Sequence, residues 1–558
     1  MGFIYSGDDP TAGVDRAQLV MGVEKDYTET EHKEDPEVEE KEEHEKSEVA
    51  KSLGMSQEMY DAIYGENRPS LWAKGHLKLY YCCAILYLLS SMSGYDGSLM
   101  SGINVMEDYQ EYYGMESAGS GTGLVFSISS IASIVAAFFV WVADYIGRKR
   151  TITLGIIGTI AGICVVSTAT TIDAFIGGRF LLFFSSAIAY VSIPLYLVEI
   201  SPPNIRGTLA GLFNTFNFCG GTVATLAAYG AYINYKGSIL SFRIPLWCQM
   251  VCPGLSLVGI YFCPESPRWL LAHGQKEKAV KILTDFHANG VENHPIVETQ
   301  IAEMTAELEA SPIDSFKEYF NLWDLINTRS KRYRMFLACS WSWFGNFTGS
   351  QVVSYYLPNM LASLGIEDIP TTLLLNAIYT IANWVFATIG ACLHDSVGRR
   401  RMMLISTAGI VLCFTCISVA SSIFQKNPDN SSASVASIFF IYLFGCIFAM
   451  TYTSLQPIYP AEVLTTQMRA KGMAFYQCLF NVSGFILAYN GSIAMEKMKF
   501  WFYVFFVFWN SFTFVIIYFF FVETKGRTLE ELEEVFQSKN PRKASYIVKE
   551  RHIINAEP

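Results

Sequence analysis

The stretch Gly178–Gly207, GRFLLFFSSAIAYVSIPLYLVEISPPNIRG, decides how the chain is read. It is apolar for the thickness of a bilayer, yet it carries Arg179 near one end and Glu199 and Arg206 at the other. A charge placed in hydrocarbon needs a partner or a task. The C-terminal half of the stretch then recurs. Pro194, Tyr196, Glu199 and Arg206 read P-x-Y-x-x-E-x6-R, and Pro457, Tyr459, Glu462 and Arg469 read the same, each displaced by 263 positions. Duplication inside a membrane chain points to a transporter.

Composition agrees. A soluble chain of 558 residues would make about three or four domains. With 51% hydrophobic and only 16% charged residues, the bilayer is the better solvent. Apolar runs long enough to span fall at about 76–95, 121–142, 151–172, 176–200, 209–232, 244–263, 336–358, 371–393, 402–424, 435–459, 472–493 and 501–522, twelve in all. The tenth is weakened by Gln456 and Pro457. Lys and Arg are missing from loops 101–120, 173–175 and 359–370, whereas the alternate loops carry Arg148, Lys149 and Arg150, then Arg399, Arg400 and Arg401, then Arg469 and Lys471. The positive-inside bias therefore puts both termini in the cytoplasm, with Lys497 and Lys499 on the wrong side of the rule.

The formal charge of -11 is largely local. Between Glu31 and Ala50 ten acidic residues stand against three Lys, which leaves the rest of the chain close to -4. That composition predicts a disordered, solvated cytoplasmic tail over residues 1–70 and implies no nucleic-acid partner. The first span starts too far from Met1 to be a cleaved signal and is itself the targeting information. Cys413 and Cys416 form a C-x-x-C inside an apolar run without His or Asp nearby, so packing accounts for them better than a metal or redox site.

Further motifs extend the repeat. Asp144, Gly147 and Arg148 after span 2, and Asp395, Gly398 and Arg399 after span 8, both read D-x-x-G-R-[KR]-R, displaced by 251. Two six-span halves follow, 71–263 and 334–522, separated by a cytoplasmic linker, 264–333, and trailed by a tail, 523–558. In the linker Ala279, Ile282, Leu283 and Phe286 recur at helical spacing opposite Lys276, Lys278 and Lys281, predicting an amphipathic helix. A second begins at Pro295 and ends before Pro312. Span 1 ends in Gly94-Tyr95-Asp96-Gly97-Ser98-Leu99-Met100-Ser101-Gly102, where glycines weaken the helix and allow close approach, as in helices broken beside a cavity.

Together these strings resemble the sugar porter family of the major facilitator superfamily. Five separated motifs between residues 90 and 527 carry the likeness: G-Y-D at Asp96, the paired D-x-x-G-R, P-E-S-P-R at Pro264–Arg268, Y-Y-x-P at Tyr355–Pro358, and E-T-K-G at Glu523–Gly526. Within the family, G-Y-D-G-S-L-M and Y-P-A-E are most similar to fungal hexose and lactose or cellodextrin permeases. The chain departs from the pattern at Val140 and Ala391, usually Gly, at Val522, usually Pro, and at Pro457, often Trp.

The resemblance implies an all-α membrane protein of twelve transmembrane helices in two pseudo-symmetric halves. It also implies that Asp96 exchanges the coupled proton with Arg179 as its charge partner; a structural ion pair in a uniporter is the alternative. Sugar recognition needs neutral amides for the hydroxyls and aromatic faces for the ring. The expected contacts are Asn214, Asn346, Gln351, Tyr355, Asn383, Trp384, Gln477 and Asn481, the other role for each amide being a helix–helix hydrogen bond. The family's two glutamines and one asparagine in span 7 align with Gly345, Asn346 and Gln351, so one glutamine is lost and the pocket is altered or enlarged there. Asp144, Arg148, Glu199, Arg206, Asp395, Arg399, Glu462 and Arg469 resemble an ion-pair latch that closes the cytoplasmic gate; setting topology by positive charge is the other role. The expectation is a monomeric plasma-membrane permease that imports a hexose or disaccharide, driven by the proton gradient as a symporter, with a uniporter or a transporter-like sugar sensor as alternatives. It is not an enzyme, and no metal or cofactor is expected. Asn430 in an outer loop is a glycosylation signal, whereas Asn346-Phe347-Thr348 is intramembrane.

Overall fold

Wherever the chain runs apolar it coils into helix, because hydrocarbon offers backbone N–H and C=O groups no partner but one another. The computed structural model describes residues 72–116, 119–139, 141–291, 294–310, 322–366, 368–427, 430–498, 501–525 and 529–545. The acidic tail expected over 1–70 lies outside them. No strand occurs among the described residues.

The first half comprises α1 (Lys74–Ile103), α2 (Glu107–Tyr113), α3 (Ser120–Ala137), α4 (Val142–Ile146), α5 (Arg148–Thr168), α6 (Ile172–Ile200), α7 (Pro203–Tyr235), α8 (Leu240–Cys248) and α9 (Val251–Ile260). The linker holds α10 (Pro267–Ala272), α11 (Lys276–His287) and α12 (Pro295–Ala310). The second half comprises α13 (Arg329–Phe347), α14 (Ser350–Ala362), α15 (Ile369–Val397), α16 (Arg399–Lys426), α17 (Ser431–Phe448), a π turn at Ala449–Thr453, α18 (Ser454–Val463), α19 (Thr466–Met498) and α20 (Trp501–Phe520). Beyond it lie α21 (Leu529–Gln537) and α22 (Pro541–Ala544).

Ten helical stretches among the described residues are long and apolar enough to cross a membrane. The expected spans 5 and 7 are the two outside that set: α7 is helical throughout, and span 7 is divided into α13 and α14 at Gly349, φ 104°. Two expectations therefore change. Span 7 is not one continuous helix, and span 1, expected to break around Asp96, continues through it to Ile103. The first linker helix forms where the periodicity put it, with Ala279, Leu283 and Phe286 buried, and the second runs Pro295–Ala310, between the prolines expected to bound it. Asn430 caps α17, its Oδ1 accepting from Ala433 N at 3.2 Å.

Helix–helix seams are built from small residues and hydroxyls. Between α5 and α6, a methyl at Gly155 or Gly162 would strike Ala189 or the Leu182 backbone. Between α1 and α7, a methyl at Gly94 would strike the Asn217 carbonyl and one at Gly220 the Ser91 carbonyl. Tyr87, Ser90 and Ser91 of α1 donate to the carbonyls of Leu209 (2.9 Å), Phe213 (2.7 Å) and Phe216 (3.1 Å) along this seam. The second half repeats it between α13 and α19, where Ser342 donates to Tyr476 O at 3.2 Å.

The halves meet through α3 with α19, α7 with α15, and α1 with α14. Gly119 N donates to Ser492 Oγ at 3.0 Å, Asn376 Nδ2 donates to Ser101 Oγ at 3.0 Å, and Phe126 stacks on Tyr355 at 4.8 Å. These contacts gather toward the face opposite the arginine-rich turns at Arg148 and Arg399, called the basic face below.

Crowding at Gly94 predicts that Gly94→Ala overpacks α1 against α7 at a cost of about 1–3 kcal/mol. Gly97→Ala, with open space around the new methyl, is expected to be neutral or slightly stabilising. Thermal unfolding of the purified variants in detergent checks this, and equal melting temperatures for the two would contradict it.

Candidate functional site

At the basic face each half carries the same charged assembly. In the first, α5 begins after Gly147, whose φ of 105° suits glycine, and the Glu265 carboxylate accepts from Lys149 N at 2.9 Å. Arg148 pairs with Asp144 at 3.1 Å and with Glu199 at 3.3 Å. Ser266 Oγ donates to Glu199 Oε2, and Tyr196 OH donates to Pro264 O at 2.6 Å. In the second, α16 begins after Gly398, φ 99°, and Glu523 accepts from Arg399 N at 2.9 Å and Arg400 N at 3.2 Å. Arg399 pairs with Glu462 at 2.9 Å, and Thr524 Oγ1 donates to Glu462 Oε2 at 2.6 Å. A carboxylate at a helix N-terminus meets unpaired N–H groups and the positive end of the helix dipole, which stabilises it there.

Glu265-Ser266 and Glu523-Thr524 are thus one element repeated 258 positions apart. The sequence reading saw P-E-S-P-R and E-T-K-G as separate motifs; their shared place after the sixth span of each half was the available signal. The departure at Val522 is also explained. Its carbonyl accepts from Tyr459 OH at 3.3 Å, as Pro264 does from Tyr196, while its N–H, absent from proline, donates back to Tyr459 Oη at 3.2 Å.

The ion pairs Arg148–Asp144, Arg148–Glu199 and Arg399–Glu462 each lie within one half. A latch joining the halves is therefore not what these pairs form in this state. Arg469 is half-buried, and the side chains of Arg206 and Asp395 fall outside those described.

Inside the membrane span, Asp96 is 1% exposed and neither carboxylate oxygen has a hydrogen-bond partner among the described residues. Arg179, 3% exposed, is within electrostatic reach of Asp96, but the two make no ion pair within 4.0 Å. Its Nε donates instead to Val125 O at 3.2 Å, and its guanidinium lies 5.0 Å from the Phe183 ring. Asp96 therefore sits beside a fixed positive charge without being bonded to it.

The expected substrate contacts divide. Asn346 is buried, and its amide donates to Phe480 O at 2.6 Å and Ser483 Oγ at 2.8 Å. Gly94 against Asn217 is the same place in the first half, displaced by 252 and 263 positions, so Asn346 fastens two helices. Gln351 and Asn383 each hold a buried side-chain oxygen without a partner, and Gln351 and Ser130 of the other half converge on Gly484. Tyr355 lies in the contact between halves. Asn214, Trp384 and Gln477 are exposed and Asn481 is half-buried. The space at Gly345 is not simply enlarged: the Gln456 amide packs into it.

A family model described as sugar (and other) transporter matches residues 82–536. A quinate permease of Neurospora africana is 27% identical over 501 residues, covering 87% of this chain and 93% of the relative. An MFS-type transporter, qa-x, of Neurospora crassa is 27% identical over 492 residues, covering 85% and 91%. Among solved structures, the inward-open xylose transporter XylE of E. coli superposes with a TM-score of 0.67 at 18% identity, covering 82% of this chain and 99% of that one. That likeness establishes the fold.

Within-half pairing has a measurable signature. Arg148→Gln with Glu199→Gln is expected to show a coupling of about 1–3 kcal/mol in a double-mutant cycle of thermal stability, whereas Arg148→Gln with Glu462→Gln is expected to be additive within about 0.5 kcal/mol. The opposite pattern would restore the cross-half latch.

Proposed function

The chain belongs to the sugar transporter family of the major facilitator superfamily, and on that premise we propose that it imports a hexose or a glucose- or galactose-containing disaccharide by proton-coupled alternating access. It is a transporter and not an enzyme. The observation that carries the coupling is Asp96, sealed from solvent, unbonded, and within reach of the Arg179 charge. Burying a carboxylate is costly in its charged form, so gaining or losing a proton changes which arrangement of the surrounding helices is favoured. Asp96 lies on α1, the helix that also meets α14 of the other half, so a charge change there bears on a contact that must open and close. XylE, similar in fold, is a proton:xylose symporter, which supports the same coupling.

With the basic face cytoplasmic by the positive-inside bias, both termini are inside, and the contacts between halves lie toward the outside. That supports an inward-facing arrangement in the plasma membrane, with Gln351, Asn383, Gln477 and Asn481 as candidate sugar contacts from a monomer. Return to the outward-facing state would bring the charged assemblies of the two halves toward each other. A second reading has its own support: several of the relatives are named quinate permeases or probable quinate permeases, and quinate is a polyhydroxylated ring bearing a carboxylate. A buried Arg179 that, among the described residues, is hydrogen-bonded to a carbonyl and packed on a ring face without a direct ion pair suits an anionic solute.

Uptake of labelled hexoses, pentoses, disaccharides and quinate by cells expressing the chain separates the readings. Saturable sugar uptake with cytosolic acidification is expected; uptake of quinate alone favours the second reading, and uptake of none contradicts both. For the carried solute, Asp96→Asn is expected to abolish uphill accumulation and its pH dependence while exchange down a gradient survives. Wild-type accumulation in that variant would remove Asp96 from the coupling.

A further inference from the structure

Helix α17 does not pass directly into α18. The π turn Ala449–Thr453 intervenes, and Pro457 and Pro460 follow inside α18. A π turn inserts an extra residue and resets which side chains point at which neighbour, and such turns gather at functional sites. This one is held firmly. Thr451 is hydrogen-bonded to Ser406, and Tyr452 OH to Thr407 Oγ1 at 2.6 Å, both partners in α16. On its other side Tyr452 stacks on Trp341 of α13 at 4.9 Å, and the Trp341 indole donates to Leu455 O at 3.3 Å.

One turn beyond Tyr452 comes Gln456, and one turn beyond Trp341 comes Gly345. The two meet: a methyl at Gly345 would collide with the Gln456 amide nitrogen. Gly345 does not have a positive φ, so what glycine supplies here is room and not backbone freedom. Tyr476 OH, from α19, donates to Gln456 O at 3.0 Å and fixes the backbone of the same residue. Yet the Gln456 side chain is only half-buried and makes no hydrogen bond among the described residues. Its own carbonyl is held by Tyr476, and the residues just before it, Thr451, Tyr452 and Leu455, are held by α16 and α13, while its amide is left with two donors and an acceptor to offer. Asn346, its neighbour across the seam, has committed its amide to α19, and Gln477, next to Tyr476, is exposed.

We propose that Gln456 is a specificity-determining residue whose side-chain amide pairs with a hydroxyl of the transported polyhydroxylated solute. The proposal rests on the reading of the chain as a sugar-like transporter. An amide fixed in this way discriminates between epimers, because a hydroxyl turned away leaves both it and the amide unpaired.

The test uses the full-length chain in cells, with labelled D-glucose, D-galactose, lactose and quinate as probes. Gln456→Ala and Gln456→Leu are expected to raise the half-saturating concentration of the carried probe about tenfold and to alter the rank order among probes, with little change in maximal rate at equal surface expression. Gly345→Ala is expected to impair transport by displacing the amide, and adding it to Gln456→Ala is expected to do no further harm. Wild-type half-saturation in both Gln456 variants for every carried probe would overturn the proposal. Should the unsubstituted chain carry none of the probes, that failure counts against the reading of the transporter's substrate. Gln456→Cys, on a background cleared of reactive native thiols, then decides the residue's place: labelling by a membrane-impermeant methanethiosulfonate from the basic face is expected, and no labelling overturns it.

Discussion

A carboxylate closed off from solvent, with no hydrogen bond to either oxygen among the described residues, is costly in its charged form, and the first half packs closely around Asp96. Helix α1 is held tightly in the turns that lead up to it. Ser90 and Ser91 hook the helix to carbonyls of α7, Gly94 lets the α7 backbone close in, and Tyr95 OH donates to Pro245 O at 2.9 Å. With the helix fixed so closely, Asp96 has little freedom to swing toward Arg179. Arg179 is restrained in turn by the Val125 carbonyl and the Phe183 ring. A group held near a countercharge but short of bonding is one whose interaction a small helix movement changes, which is what coupling a proton to a conformational change requires.

The basic face follows a different logic. Its Arg148–Glu199 and Arg399–Glu462 pairs are largely shielded from water, so loss of one partner leaves a poorly solvated charge, and the pairing fixes the position of the helix ends. In each half one carboxylate seats on the N-terminus of a helix, a second pairs with the arginine beside it, and a hydroxyl from the segment after the sixth span joins them. The repetition makes each six-helix half a braced unit at this face. Braced halves are suited to rocking as bodies, which is the motion the proposed alternating access needs.

Much of this was legible in the sequence, for reasons that differ by element. Apolar runs located the helices because the bilayer leaves the backbone no alternative, and the spacing of Ala279, Leu283 and Phe286 gave the linker helix its buried face. The division of span 7 was not legible, since hydropathy does not register a positive φ at Gly349. The roles of the amides were the least accessible. Asn346 read equally as a sugar contact or a helix–helix bond, and only its hydrogen bonds to Phe480 O and Ser483 Oγ show that it fastens α13 to α19. Gln456 was noted as an interruption of an apolar run, and its meeting with Gly345 depends on a π turn that no periodicity announces.

The most direct test of proton-driven transport is thermodynamic. In proteoliposomes carrying the purified chain, the equilibrium accumulation ratio of the transported solute is measured against an imposed proton-motive force. One proton per neutral solute predicts a ratio that rises tenfold for each increment of about 60 mV, since 100 mV is worth about 2.3 kcal/mol per charge. A ratio that stays at one whatever force is applied would contradict the account and identify the chain as a uniporter.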